Sequence, residues 1–399
     1  MRYTMIISIL LHCCLALKTN ATIPRRYDSI FNFGDSLSDT GNFLHTEAVA
    51  FPAVAKLPYG KTFFGHPTSC FSDGRLRRKY SGSAKSWHGG TLKCQNLQMK
   101  KRGGGVIGEG CAALTATTVA APPSPGRASD GGRGLAGDVG PRPVAGDTGP
   151  SRRRWGGDGG GGEDCDTYFK KSLFLVGEIG GNDYNFLFTV GASFEQLRSM
   201  VPLVVGAISS ATSALIEEGA VELVVPGNFP IGCWTVYLAL FQSSNESDYN
   251  PRTGCLKAYN EFSEYHNSYL ERELQILRQK YHHARIMYAD YYEAAIRLFR
   301  APNHYGFNEG TQAACCGGGG PYNFDFSAMC GSNGSTLCTD PSALVNWDGI
   351  HLTEAAYRHI AEGLLHGPFT SPCLIASKSQ RDNALASILL PKTNLCPWS

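Results

Sequence analysis

Three short motifs carry the residue types that acyl transfer through a serine requires. Ser36 lies in a Gly-Asp-Ser turn after the apolar run 27–33, and Asp348 and His351 stand three residues apart near the other end of the chain. A serine hydroxyl is a weak nucleophile that needs a general base, which a third group must orient. Asp348 can hold the imidazole of His351 in the tautomer that leaves its second nitrogen free to act as that base.

The third motif, Gly-Gly-Asn-Asp at 180–183, follows an apolar run and presents the side-chain amide of Asn182. An amide N–H at the end of a strand can donate to a developing oxyanion. Each motif alone has an ordinary structural explanation, because a Gly-Asp-Ser stretch also forms an Asx or N-cap turn, and the other two are also typical of structural turns. The presence of all three in one chain favours the catalytic interpretation.

Apolar patterns predict the elements that would position these residues. Short aliphatic, aromatic and β-branched runs predict strands at 27–33, 173–176, 221–225 and 284–289. Apolar residues at spacings of three and four predict helices at 192–218, 256–281 and 352–365. Strands that alternate with helices of this length predict a parallel sheet covered on both faces, with ligands at the carboxyl ends of its strands.

The segment 77–164 breaks this alternation. It has neither a helical nor a strand period, and it holds 22 of the 47 glycines in the 399-residue chain. It also holds 14 Lys and Arg against 7 Asp and Glu, so the net charge of +2 combines +7 here with −5 elsewhere. Its few apolar side chains cannot offset the entropy of ordering, and we expect a disordered loop. A basic Gly/Arg stretch can contact RNA, but its basic residues are not interleaved with aromatic ones, since Trp155 is the single aromatic residue in 103–164. This and the small overall charge argue against a nucleic-acid binder.

The N-terminus predicts export. Residues 1–21 combine Arg2 with an apolar stretch at 5–17 and small residues before a cleavage site, which is typical of a secretory signal peptide. A buried N-terminal helix is the alternative. No later segment approaches the length of a membrane span. We therefore expect a secreted, extracellular protein without a stable membrane anchor.

Cysteines and sequons agree with that compartment. Without the two cysteines of the signal peptide an even 12 remain, with no C-x-x-C pair, so we expect disulfides. Cys233 with Cys255 and Cys330 with Cys338 are candidate pairs by proximity, although connectivity does not follow from sequence. Sequons at Asn245 and Asn333 predict N-linked glycans.

Together these residues resemble the plant-type GDSL esterase/lipase family, a branch of the SGNH hydrolases. Ser36 matches the family's nucleophile block GDSLSDTGN, Asn182 matches its GGND block, and Asp348 with His351 matches its terminal D-x-x-H block. Supporting matches are Leu57-Pro58-Tyr59-Gly60, the Phe-Ser-Asp-Gly-Arg stretch at 71–75, the Pro-Gly-Asn-Phe-Pro-Ile-Gly-Cys stretch at 226–233, and the Cys-Cys-Gly-Gly-Gly-Gly stretch at 315–320. The resemblance covers about 27–76 and 165–375, some two thirds of the chain.

The resemblance implies an α/β fold, a flavodoxin-like three-layer α/β/α sandwich with a central parallel sheet, in a single domain at 22–399. It implies hydrolysis of carboxylic esters through an acyl-enzyme, without a metal or a cofactor. Ser36 would be the nucleophile, His351 the base and Asp348 its orienting group, while the backbone N–H of Ser36 and the side chain of Asn182 would hold the oxyanion. We expect a monomer that acts on a small-molecule ester or lipid substrate.

The chain departs from the family pattern between Arg75 and Cys165. The family's Gly block, whose backbone N–H is a third oxyanion donor, is expected here with a helix and the second sheet strand, and we do not find it. We hypothesise that 77–164 stems from a misread frame or a retained intron, which leaves the fold incomplete around the second strand. Loss of one oxyanion donor lowers turnover by roughly 10²–10³-fold. The alternatives are therefore a catalytically impaired secreted glycoprotein of the same family and a carbohydrate or acyl-sugar deacetylase.

Overall fold

The computed structural model of the chain describes residues 27–39, 52–67, 70–75 and 165–374. The predicted signal peptide and the segment 77–164 lie outside these residues, so the predictions made for them stay predictions. Strands within the described residues are β1 (Ser29–Asn32), β2 (Ser172–Leu175), β3 (Glu222–Pro226), β4 (Arg285–Ala289), β5 (Gly310–Ala314), β6 (Cys316–Gly317), β7 (Thr336–Leu337), β8 (Leu344–Asn346) and β9 (Thr370–Ser371).

The central sheet is mainly parallel. Its spatial order is β1-β2-β3-β4-β9, in which β1 to β4 run parallel and β9 pairs antiparallel with β4. The apolar runs that form β2, β3 and β4 are largely buried, as expected for a parallel sheet covered on both faces. β1 is mostly half-buried. Two small sheets lie apart from it, one pairing β5 with β8 and the other β6 with β7.

Helices flank this sheet. The described helices are α1 (Lys61–Phe64), α2 (Cys165–Lys170), α3 (Gly181–Thr189), α4 (Phe194–Glu217), α5 (Thr235–Leu240), α6 (Lys257–Lys280), α7 (Tyr291–Arg300) and α8 (Glu354–Leu365). α4 packs against α6, and α7 packs against α8. The four predicted strands and three predicted helices are confirmed to within two residues at each end, and the mixed α/β class with a mainly parallel central sheet is confirmed as well.

The periodic apolar stripe of α6 faces the core, as its spacing predicts. Its buried positions include Phe262, His266, Leu270, Leu274 and Leu277, which recur every three or four residues. His266 is part of this core, where Tyr184 lies 2.9 Å from its Nδ1, and burial lowers its pKa to about 4. The histidine is therefore a neutral core residue.

α4 corrects one expectation. Among the described residues it is the helix long and apolar enough to cross a membrane by length and composition, so the expectation that no later segment approaches that length is wrong. One face of the helix is buried, with Leu197, Val201, Val205 and Ile208 in the core cluster. Its N-terminus is closed by a capping box between Ser193 and Gln196. These contacts are those of a helix that packs inside a domain.

The disulfides confirm one predicted pair and correct the other. Cys233 is bonded to Cys255, as predicted. The predicted pair of Cys330 with Cys338 is wrong, because the structure joins Cys315 to Cys338 and Cys316 to Cys330. Pairing of β6 with β7 is the reason: it places the backbone N–H of Cys338 2.7 Å from the carbonyl oxygen of Cys315, while Cys330 lies in the connection between these strands.

A second, smaller apolar cluster lies apart from the main core. It contains Val54, Tyr59, Phe71, Cys315, Cys316, Cys330, Leu344 and Trp347. It joins residues from 52–67 and 70–75 to the disulfide-bonded loop 315–338 and to the segment that follows β8. We call it the small core, because it encloses one side of the candidate site.

Candidate active site

Ser36 lies in a tight turn directly after β1. The carboxylate of Asp35 accepts a hydrogen bond from the Leu37 N–H at 2.9 Å, and the Ser38 N–H donates to the Asp35 carbonyl at 3.0 Å. The turn begins at Gly34, whose φ of +137° is one that only glycine adopts readily. The sequence therefore folds into the turn that was predicted, at the carboxyl end of a sheet strand.

The end of β2 meets this turn at very short range. A Cβ on Gly177 would lie 1.5 Å from the carbonyl oxygen of Phe33, so the two strand ends approach closely only because Gly177 has no side chain. The stretch after Gly177 leads into α3, with Asn182 in its first turn. The Asn182 side chain donates to the carboxylate of Asp35 at 3.2 Å, which places its amide next to the Ser36 turn.

Asp348 and His351 lie in a closed loop between β8 and α8. The Trp347 N–H donates to the His351 carbonyl at 2.8 Å, and the Thr353 N–H donates to the Val345 carbonyl at 3.0 Å. Thr353 then caps α8 through its side chain. The loop thus turns both functional side chains inward, with Asp348 6% and His351 4% exposed.

These side chains form one continuous chain of hydrogen bonds. His351 Nε2 lies 2.8 Å from Ser36 Oγ, and His351 Nδ1 lies 2.8 Å from Asp348 Oδ2. A carboxylate can only accept, so Nδ1 donates to Asp348 and Nε2 of the neutral ring accepts from the Ser36 hydroxyl. That is the tautomer that lets the imidazole act as a base toward the serine.

The electrostatics keep Asp348 ionised. Burial alone raises the pKa of its carboxyl, but the interaction with His351 and the hydrogen bonds from the His351 and Ile350 backbones outweigh burial and lower the pKa below its usual value. A buried carboxylate that stays charged can stabilise an imidazolium at the histidine that it contacts.

Residues 71–75 hold the histidine loop from the other side. The Phe71 ring lies 4.7 Å from the His351 ring between centroids, and the Ser72 hydroxyl donates to the Leu352 carbonyl at 3.1 Å. Asp73 accepts from the Glu354 N–H at 2.7 Å at the start of α8. Burial raises the pKa of Asp73. We call residues 71–75 the strap, because these contacts fix the loop that carries His351.

Arg75 completes the strap. Its guanidinium forms an ion pair with Glu354 at 2.5 Å, and its backbone N–H donates to the same carboxylate at 2.8 Å. The Phe-Ser-Asp-Gly-Arg stretch and Leu57-Pro58-Tyr59-Gly60 are supporting matches to the family pattern, and their sequence alone indicates no role for them. Tyr59, which donates to Asp348, belongs to the second of these stretches.

Other predicted positions lie elsewhere. Asn245 and Asn333 are exposed, as a glycan attachment site must be. Within the described residues there is no group of three or more His, Cys, Asp or Glu side chains arranged to hold a metal ion.

An aligned hydroxyl, imidazole and carboxylate at the edge of an α/β sheet is the arrangement that serine hydrolases use. The sequence model of the GDSL-like lipase/acylhydrolase family matches residues 150–364, a span that contains Asn182, Asp348 and His351 and begins after Ser36. The chain belongs to this family.

Individual relatives extend the match over most of the chain. A GDSL esterase/lipase of Arabidopsis thaliana is 43% identical over 87% of this chain and 92% of its own length. Another from the same plant is 41% identical over 92% of this chain and 89% of its own length. A sinapine esterase of Brassica napus is 38% identical over 91% of this chain and 92% of its own length. The protein is a serine ester hydrolase, and its substrates are small-molecule carboxylic esters.

Proposed function

We propose that the protein hydrolyses its esters through an acyl-enzyme on Ser36, with His351 as general base and acid and Asp348 as the orienting carboxylate. The observation that carries this proposal is the hydrogen-bonded line from Ser36 Oγ through His351 to Asp348, with 2.8 Å at each step. Each distance is within the reach that proton transfer requires.

The proposed reaction has two halves. Ser36 Oγ attacks the ester carbonyl carbon while its proton passes to His351 Nε2, and the carbonyl oxygen becomes an oxyanion. Collapse of this tetrahedral intermediate breaks the bond to the alcohol oxygen, and the leaving alcohol takes up the proton from Nε2. Water then attacks the acyl group by the same route, and the acid and free Ser36 are released. Asp348 keeps Nδ1 protonated and stabilises the imidazolium in both halves.

Asn182 and the Ser36 backbone N–H are the proposed oxyanion donors. The amide nitrogen of Asn182 carries two hydrogens, and the contact with Asp35 at 3.2 Å occupies one of them. The other can donate to the oxyanion. Asp35 thus anchors the amide beside the nucleophile, which supports donation without reorganisation during the reaction.

We further propose that the mature chain is a secreted monomer formed by a single domain at 22–399 after removal of residues 1–21. The disulfides Cys233–Cys255, Cys315–Cys338 and Cys316–Cys330 support an oxidising compartment. The exposed sequons at Asn245 and Asn333 support glycan attachment. A shift in mass on treatment with an N-glycosidase, absent from an Asn245→Gln/Asn333→Gln variant, tests this part of the proposal.

The mechanism is tested with the full chain on p-nitrophenyl acetate. We expect Ser36→Ala to lower kcat by at least about 10³-fold with its fold intact. Ser210→Ala is the matched control, because the Ser210 hydroxyl is exposed and donates to the carbonyl of its own helix. Equal rates for wild type and Ser36→Ala would refute the role of Ser36. A wild type that folds but hydrolyses nothing would favour the catalytically impaired relative.

The substrate class is open to a direct comparison. We propose lipid, acyl-sugar or phenolic esters, and the relative named sinapine esterase supports including sinapine. A series of p-nitrophenyl esters from acetate to palmitate distinguishes an esterase from a lipase. Acetylated sugars test the deacetylase alternative. The class with the highest kcat/KM identifies the substrate type.

A further inference from the structure

Tyr59 contacts the proposed triad from a buried position. Its side chain is 1% exposed, and its hydroxyl donates to Asp348 Oδ2 at 2.9 Å. This is the same oxygen that accepts from His351 Nδ1 at 2.8 Å. The other oxygen, Oδ1, accepts from the backbone N–H groups of Ile350 at 3.1 Å and His351 at 2.8 Å. Oδ1 also lies 3.0 Å from His351 Nδ1, so Tyr59 is the second donor on the oxygen that makes the shorter contact with the imidazole.

Packing contacts besides the one with Asp348 also hold this phenol in place. Tyr59 lies in the small core, with the Trp347 ring edge-on at 5.9 Å between centroids. The next residue, Gly60, donates its backbone N–H to the Ser72 carbonyl at 3.0 Å. Neighbours in the same cluster include Cys315, Cys316 and Cys330, which are held by two disulfides. The hydroxyl is thus presented at a fixed point.

The phenol remains a donor throughout the working pH range. Burial, the negative charge of Asp348 and the hydrogen bond to it all raise the pKa of Tyr59 far above its usual value. A neutral phenol that donates to a carboxylate forms a charge-assisted hydrogen bond, which is stronger than one between neutral groups.

We propose that Tyr59 is a positioning residue for ester hydrolysis, which holds Asp348 Oδ2 opposite His351 Nδ1 and shares the negative charge of that oxygen. The inference rests on the proposed function of the triad. Two donors on Oδ2 restrict rotation of the carboxylate. The hydrogen bond from the phenol also stabilises part of the negative charge on Oδ2, so less of that charge stabilises the imidazolium. Tyr59 acts through Asp348 and does not itself touch the reacting atoms.

Removal of the hydroxyl has two predicted effects. The carboxylate loses one of its fixed donors, so kcat falls by about tenfold, the scale of one hydrogen bond to a charged group, while KM stays within about twofold. The negative charge then concentrates on the contact with Nδ1, which favours the imidazolium. The acid limb of kcat/KM therefore moves to higher pH.

Other titratable groups near the pair stay in place in such a variant. They are Asp73 of the strap and Glu354 at the start of α8, together with Arg75, which pairs with Glu354, and Asp35 beside Ser36. None of them is hydrogen-bonded to Tyr59 in the described structure. A displaced acid limb in a Tyr59 variant therefore reports on Asp348 and His351.

The test is a double-mutant cycle between Tyr59→Phe and Asp348→Asn, measured as kcat, KM and pH profile on p-nitrophenyl acetate. We expect Tyr59→Phe to produce both effects in the wild-type background and less than about a twofold change in the Asp348→Asn background. The matched control is Tyr281→Phe, because Tyr281 is also a buried phenol that donates to a carboxylate, that of Glu217 at 2.6 Å, in a different part of the fold.

The outcomes separate the possible failures. Equal losses in the two backgrounds, or a lower kcat with an unmoved acid limb, would mean that Tyr59 serves only packing and would overturn the inference. Unchanged kinetics of Tyr59→Phe beside an inactive Ser36→Ala would overturn it as well, with the proposed mechanism intact. An active Ser36→Ala would instead refute the mechanism itself.

Discussion

Replacement of Asp348 by Asn is the most informative single change at the site. The amide is the same size as the carboxylate, and its oxygen can still accept from the Ile350 and His351 backbone N–H groups that now bind Oδ1. That leaves the amide nitrogen in the place of Oδ2, which is nearer to His351 Nδ1 at 2.8 Å than Oδ1 at 3.0 Å, and there it presents N–H donors to Nδ1. The shorter contact therefore favours the tautomer in which Nδ1 accepts and the ring proton lies on Nε2.

The consequence for catalysis follows from this tautomer. Nε2 lies 2.8 Å from Ser36 Oγ, and a protonated Nε2 cannot take the serine proton. We expect kcat to fall by roughly 10⁴-fold, the scale of a triad whose imidazole is held in the wrong tautomer. Steady-state hydrolysis of p-nitrophenyl acetate, with active-site titration of the wild type, measures the loss. Asp340→Asn is the control, because Asp340 is exposed and an Asn can keep its cap on Ser342.

The same variant reports on stability. The folded-state pKa of Asp348 lies below its unfolded value, so its charged form stabilises the fold above about pH 4, and this contribution is lost as the pH falls through the folded-state pKa. As the pH falls, the free energy of unfolding of wild type is therefore expected to decrease by this contribution. Asp348→Asn has no carboxylate at this position and is expected not to show that decrease. If kcat of a folded Asp348→Asn falls by less than about 100-fold, the idea that the variant holds His351 in the wrong tautomer is refuted.

Three further predictions concern residues outside the triad. Burial raises the pKa of Asp290 to about 6, above the unfolded value near 4, so ionisation destabilises the fold as the pH rises through this window. Asp290→Asn keeps the cap on α7. In urea unfolding, the free energy of unfolding of wild type is expected to fall by about 1–2 kcal/mol between pH 5 and pH 8 because of this group, and Asp290→Asn is expected not to show this decrease. Gly177→Ala is expected to abolish activity and folding yield, since its Cβ would lie 1.5 Å from a carbonyl oxygen. Gly206→Ala, an open helical position in α4, is expected to raise the unfolding free energy by about 1 kcal/mol. A stable, active Gly177→Ala would show that the strand ends can separate.

Local patterns were sufficient for most of the frame. The apolar runs that form β1 to β4 and the apolar stripe of α6 each lie within one short segment of sequence, so their spacing predicts the elements directly. The antiparallel strand β9 has no such signal, because it is two residues long and pairs only at the sheet edge. Proximity in sequence was sufficient to predict the pair of Cys233 with Cys255, but it could not give the partners of Cys315 and Cys316. Cys315 and Cys316 are adjacent, and only the pairing of β6 with β7 decides which partner each one meets.

The site was predictable to the extent that its chemistry is local. Ser36, Asp348 and His351 carry recognisable residue types in short motifs, and the structure brings them together. Tyr59 carries no such signal, because a tyrosine in a Leu-Pro-Tyr-Gly stretch reveals nothing about a carboxylate 289 positions away. The strap at 71–75 likewise acts on α8 across about 280 positions. Roles that arise only from long-range packing need the tertiary structure.

The distance along the chain between Ser36 and His351, 315 positions, has a kinetic consequence. Contacts between remote segments form slowly, because the entropy of closing the chain must be lost before the contact stabilises it. The helices α4 and α6 depend on contacts far closer in sequence. After dilution from denaturant, with the disulfides intact, recovery of esterase activity is therefore expected to trail recovery of the helical circular dichroism signal. The recovery of activity would then report the rate at which the Ser36 turn and the His351 loop come into contact.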